Sequence, residues 1–424
     1  MRIVNDIVDK PPADAMSHGR GKVFELLSAA AVRRRCQNVH AWVAAGRSDY
    51  FTLDESRLEN VAELVAQTTL RNYPALDVPP HSRWRHFVVG GIDRWDQMTR
   101  RHPGDCLETA RAAIDLATVS VLLDAGAGAG WTYHEAGTGL RFARSEGLAV
   151  ASLAAFGEGK FSSDQEQLQR VDGEALAAID ANRLGGMFQV SGANPLAGFD
   201  QRAALLQRLG AALRENPQVF GAPLARPGHL VDYLLCRFPD RRVAAGDLLS
   251  ILLRAYGSIW PSAIEVDGIP IGDAGRHIAA ETDDLTSGIV PFHKLSQWLA
   301  YSLIEPLERA GIVVDGVSGL TGLAEYRNGG LLIDGGVIRP RSLIDPQCRH
   351  DVQSTLIVEW RALTVVLLDH LLEPVRKRLG VGEAFSMPQM LQGGSWLAGR
   401  DIALTRRPPD GPPPISIVST GTTF

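Results

Sequence analysis

Apolar residues recur every three or four positions along much of the chain, which is the period of a helix with one buried face. Over residues 106–123 the face is Leu107, Ala110, Ala113, Ile114, Ala117 and Val121. Over residues 53–74 it is Leu58, Val61, Ala62, Leu64 and Val65, with Asp54 or Ser56 as a cap and Pro74 beyond the end. The same spacing predicts helices over residues 23–45, 147–156, 164–169, 172–184, 199–214, 229–238 and 247–256. Residues 355–372 form the most apolar helix, and residues 291–311 form another that opens with Pro291 at a first-turn position. Period-two signals are short. Asp267-Gly268 predicts a small hairpin within residues 260–273, Asn328-Gly329 a turn in a β segment over 322–342, and "ISIVS" a terminal strand. "WRHFVVGGIDRWDQM" reads as a turn or short strand. The expectation is a mainly α fold with small β elements.

At 424 residues the chain is long enough for two or three domains and a large core. A net charge of −5 gives no basic field for nucleic acid. No apolar run approaches a membrane span, and residues 1–22 lack the apolar stretch of a signal peptide. Cys36, Cys106, Cys236 and Cys348 are too far apart for a zinc or disulfide pattern, so a reducing cytoplasm and no metal are expected.

The stretch "VSVLLDAGAGAGW" (residues 119–131) raises the question of a cofactor loop, as in a methyltransferase that binds S-adenosylmethionine. Such a loop needs a strand before it and a helix after it. Here a helical pattern precedes Asp124, so a helix end and a close-packed turn are favoured, with methyl transfer a remote alternative.

Other candidates are polar groups in apolar settings. His293, Gln297, Tyr301 and Glu305 fall on one helical stripe, either a solvated face or a set that orients and protonates a ligand. Glu359 and Arg361 interrupt the most apolar helix, as structural ties or as site residues. "ETDDLTSG" holds Asp283 and Asp284, a helix cap or a general base. "MPQMLQGGSW" offers Gln389 and Gln392 for a planar amide-like ligand.

"RSEGLAVASLAAF", "LLRAYGSIWPSAIEVDG", "GLAEYRNGGLLIDGGV", "VEWRALTVVLLD" and "MPQMLQGGSWLAGR" together resemble the family of the fourth protein of uracil catabolism. The resemblance implies a cytoplasmic role in ring-opening uracil degradation through ribosylurea-type intermediates to urea. A more distant similarity is to the queuosine-salvage N-glycosylases, helical proteins of DNA-glycosylase-like architecture. It implies that architecture for residues 81–424, after an N-terminal helical segment over 1–80. A β-containing insertion near 312–345 and a Pro-rich tail over 405–424 complete the expected layout. "LLDAGAGAGW" sits where those glycosylases carry an aspartate, which points to Asp124, with Trp131 as a wall. Their "VEIRA" helix matches Glu359, Arg361 and Ala362. Their catalytic acid falls on Phe292, so it does not carry over.

The expected activity is hydrolysis of the N-glycosidic bond of a ribosylurea, free or phosphorylated, with a non-catalytic pathway protein as the alternative. Asp284 or Glu359 would stabilise the oxocarbenium-like state or activate water, and His293 would protonate the leaving nitrogen. Asp124, Trp131, Lys294, Gln297, Tyr301, Glu325, Arg361, Gln389 and Gln392 are the expected substrate contacts. Lys294 or Arg361 would meet a phosphate. The ligand is a small nucleoside- or ureido-type molecule, and no metal or organic cofactor is required.

Overall fold

The computed structural model describes residues 18–101, 104–128, 130–260, 264–345 and 348–418. Residues 1–17 and 419–424 lie outside them. The longer helices are α1 (Ala29–Ala44), α2 (Leu58–Asn72), α3 (Cys106–Leu122), α4 (Arg144–Gly157) and α5 (Phe199–Glu215). They continue with α6 (Ala245–Ala255), α7 (Lys294–Arg309), α8 (Tyr326–Asp334), α9 (Thr355–Leu379) and α10 (Trp396–Arg406). Every sheet among the described residues is two-stranded. The fold is mainly α. No described helix is long and apolar enough to cross a membrane.

α9 is buried on all sides from Ile357 to Leu368, as a helix apolar all round must be. α1 and α2 pack against it, and its end is fixed by Gly380 in the left-handed conformation (φ +67°) with basic residues in the last turn. α7 packs along α3, and α8 along α10. One apolar core runs from Val23 to Ile415.

Several expectations are corrected. Residues 322–342 are not a β segment with a turn at Asn328-Gly329. Tyr326–Asp334 form α8, because the Glu325 side chain accepts hydrogen bonds from the Arg327 and Asn328 amides and so starts a helix. The expected β character is kept at Ile338–Pro340, a strand antiparallel to Phe51–Leu53. Gly329 serves packing: a Cβ there would lie 2.7 Å from Trp360 Nε1 and 2.8 Å from Thr364 Oγ1. Gly329→Ala should therefore destabilise the fold by about 1–3 kcal/mol despite alanine's helix propensity, read as a lower melting temperature.

The helix expected over 172–184 is two, Gly173–Ala177 and Ala181–Met187, because Asp172 and Asp180 each cap a new start. Residues 164–169 form turns. Asp54 makes no side-chain cap bond; it pairs with Arg339 instead. Pro291 lies in a strand (Ile289–Pro291) beside Ala274–Arg276, and the helix begins only at Lys294. The hairpin at Asp267-Gly268 is present, joining Glu265–Val266 to Ile269–Pro270. Ser416–Ile417 pairs in parallel with Arg349–His350.

Candidate active site

The principal cavity has a volume of about 770 Å³ and is lined by residues between His81 and Val418. The first residues of α4, α7 and α8 open onto it, so three helix N-termini converge there. Asp124, just past the end of α3, lines one wall and is 8% exposed. Its Oδ2 lies 3.2 Å from Arg83 Nη1, while Oδ1 has no hydrogen-bond partner among the described residues. Arg83 is fully buried; its Nε donates to Ser120 Oγ (2.7 Å) and its guanidinium stacks on Trp298.

Arg202 builds the turn that carries Asp124. It donates to the carbonyls of Leu123, Ala125 (3.0 Å), Gly126 (2.9 Å) and Ala197 (3.1 Å). A helix precedes this turn, and its carbonyls converge on a guanidinium, which leaves no cradle for a cofactor of methyl transfer. Gly128 (φ +83°) meets Ala197, where a Cβ would come within 3.3 Å of that side chain.

Lys294 and Glu325 face the same cavity as Asp124. Burial pushes the Glu325 carboxyl above the usual carboxylate range, against the pull of its two amide donors and of Lys294. Burial likewise lowers the Lys294 ammonium, against the attraction of Glu325 and Asp124. Lys294 is oriented from behind: its backbone N–H donates to Asp273 Oδ2 (3.0 Å), which Arg361 holds through two bonds of 2.7 Å.

A ring of aromatic and imidazole groups completes the pocket. His81 stacks on Trp298 with centroids 5.8 Å apart, and its Nδ1 meets Gln392 Oε1 at 3.0 Å. That bond makes Nδ1 the protonated nitrogen and leaves Nε2 an acceptor. His86 sits edge-on to the same indole, its imidazole held down at about 3 by burial and then by Arg83. Trp298 is 4% exposed, and its Nε1 is an unsatisfied donor among the described residues. Gln392 reaches the cavity from a π-helical turn (Leu391–Ser395). The turn can press on α2 because residue 394 is glycine; a Cβ would lie 2.4 Å from the Val65 carbonyl.

Of the residues singled out from sequence, Asp124, Lys294, Glu325 and Gln392 thus come together. The others lie elsewhere. Glu359 is buried between Ser48 Oγ (2.5 Å) and His277 Nε2 (3.0 Å). His293 (φ +49°) donates from Nε2 to the Leu26 carbonyl, and burial lowers its pKa. Gln297 exchanges hydrogen bonds with Thr321, and Tyr301 donates to the Thr321 carbonyl. Gln389 closes a capping box with Ser386. Trp131 donates to the Phe188 carbonyl and lies against Gly147 of α4, where a Cβ would come within 2.9 Å of its ring. Arg361 holds Asp273 through two bonds, and its guanidinium lies over the Phe292 ring.

Asp284 folds back on its own loop, accepting from the Thr286 amide and hydroxyl and from Thr282, and these bonds lower its pKa. Asp284→Asn should change turnover by less than about twofold, since a local turn bond is all it alters. A tenfold loss in kcat would put this loop in the chemistry.

Residues 25–424 match the family described as "Protein of unknown function (DUF1688)". The chain is 39% identical over 431 residues to "Uracil catabolism protein 4" of Lachancea kluyveri, covering 94% of this chain and 98% of that protein. It is also 39% identical over 414 residues to "Protein urg3" of Schizosaccharomyces pombe, covering 95% and 99%. The chain belongs to this family. In this member of the uracil catabolism protein 4 family, His81, Arg83, His86 and Trp298 are cavity groups or their supports that sequence reasoning passed over. The available signal was "HSRWRH", a dense run of imidazole, guanidinium and indole beside a proline-bearing loop.

Proposed function

We propose that this protein acts in uracil catabolism as an N-glycosyl hydrolase, cleaving a ribosylurea-type intermediate to urea and ribose or ribose phosphate. The pathway is that of the printed name of its Lachancea kluyveri relative. The observation that carries the chemistry is Asp124: a buried carboxylate on the cavity wall, paired through one oxygen with Arg83, whose other oxygen has no hydrogen-bond partner among the described residues.

Breaking the C1–N bond builds positive charge on the sugar and negative charge on the leaving nitrogen. Asp124 stabilises the first and accepts a proton from the attacking water. Glu325, whose carboxyl burial pushes above the usual range, holds a transferable proton for the second, with Lys294 facing the same cavity. One water is consumed: its hydroxyl ends on C1, and its proton balances the one given to urea. The Trp298 Nε1–H suits the ureido carbonyl, and His81 Nε2 suits a ureido N–H. Arg144 and Arg349 line the cavity without a hydrogen-bond acceptor among the described residues, which suits a phosphorylated sugar. In this reading residues 81–424, which supply the whole lining, are the glycosylase-like region.

The test is incubation with ribosylurea and with its 5′-phosphate, followed by quantification of urea. Turnover of either supports the reading, and the preferred form reports whether the two arginines meet a phosphate. Saturable binding of both without urea would make this a binding protein of the pathway.

A further inference from the structure

His40 on α1, His370 on α9 and Glu55 in the short turn Glu55–Arg57 come together in a cluster that shares no residue with the cavity lining. His40 Nε2 lies 2.9 Å from Glu55 Oε1, and His370 Nδ1 lies 3.0 Å from Glu55 Oε2. The three ligand atoms lie within 4.8 Å of one another, and the two rings meet edge to face at 5.4 Å. The His370 and Glu55 side chains are 43% and 38% exposed, so an ion and its remaining waters can enter from solvent.

We infer that His40, Glu55 and His370 form a binding site for a divalent transition cation of the zinc type, which clasps α1 and the 55–57 turn to α9. Two imidazoles and a carboxylate are the donor set such a borderline cation takes. Zinc bonds of about 2.0–2.2 Å place tetrahedral neighbours roughly 3.3–3.5 Å apart. One nitrogen–oxygen pair needs to open by only a few tenths of an ångström, and the other donor pairs, within 4.8 Å of one another, need to close by at most about 1.5 Å, within side-chain rotation. Each imidazole moves the proton it shares with Glu55 to its other ring nitrogen, so that it ligates as a neutral ring, and water fills the open position. The spacing of 15 and 315 residues between the ligands hides the site from any sequence motif.

The test is calorimetric titration of chelator-stripped full-length protein with Zn²⁺, alongside His370→Gln and the double variant His40→Gln/His370→Gln. The expected result is one equivalent bound by the native chain, about tenfold weaker binding by the single variant, and loss of that equivalent in the double variant. Zinc at a hundred times its Kd should raise the melting temperature of the native chain by about 3 °C and leave the double variant unmoved. Circular dichroism and urea release show whether the variants are folded. No binding by the native protein, or the same equivalent retained by the folded double variant, as zinc on the exposed Cys106, Cys236 or Cys348 would give, overturns the inference.

Discussion

Asp124→Asn should lower kcat for urea release on the order of 10³-fold while KM stays within about threefold. The substitution keeps the volume of the side chain and an oxygen for Arg83, so the turn and the cavity shape persist. On the proposed mechanism it removes the negative charge facing the anomeric carbon and the base for the attacking water. That mechanism assigns binding to other groups, Trp298, His81 and Gln392 among them, which is why KM should hold. Arg83 loses its counter-charge while fully buried, so some loss of stability is also expected. The melting temperature separates that cost from the loss in kcat. A variant that melts near the native temperature and retains more than about a tenth of kcat would remove Asp124 from the chemistry.

Arg202→Met should be the most damaging single change to the fold near the site. Arg202 is fully buried, and burial lowers its guanidinium to about 10. It satisfies four carbonyls: three in the turn after α3 and one at Ala197. Methionine fills the volume and satisfies none of them. With several buried acceptors left unpaired, a loss of about 3–5 kcal/mol is expected, measured as a shift in the denaturant midpoint. Urea release should fall further than the folded fraction does, because the same turn aims Asp124. An Arg202→Met protein with native stability and native kcat would contradict the role given to this cap.

How much of this was legible in the sequence differs by element. Helices with a continuous apolar stripe, such as α3, α5 and α9, read directly, because burial of one face or all faces writes itself into residue spacing. α8 did not, because Asn328-Gly329 has the look of a turn, and only the three-dimensional neighbour Trp360 explains why glycine stands at 329. The candidate site was half legible. Asp124 and Lys294 came through resemblance to glycosylase segments, and Glu325 and Gln392 through residue type. Glu359, Arg361, Gln297 and Tyr301 were equally conspicuous as polar groups in apolar helices, yet each satisfies an internal tie to Ser48, Asp273 or Thr321. Sequence spacing cannot tell a tie from a site, since the partner lies tens to hundreds of residues away. His81, Arg83 and His86 escaped for the opposite reason: they sit at a short connection whose one helical turn, Trp84–Phe87, is too brief to show a period.

The central claim is cleavage of the bond between sugar and ureido nitrogen, and the fate of the ureido carbon tests it most directly. Ribosylurea isotopically labelled at that carbonyl, incubated with the native protein and followed by NMR, should deliver the label as urea together with free ribose or its phosphate. Label appearing as carbonate, with ammonia released and the nitrogen still on the sugar, would show attack at the carbonyl and contradict the account.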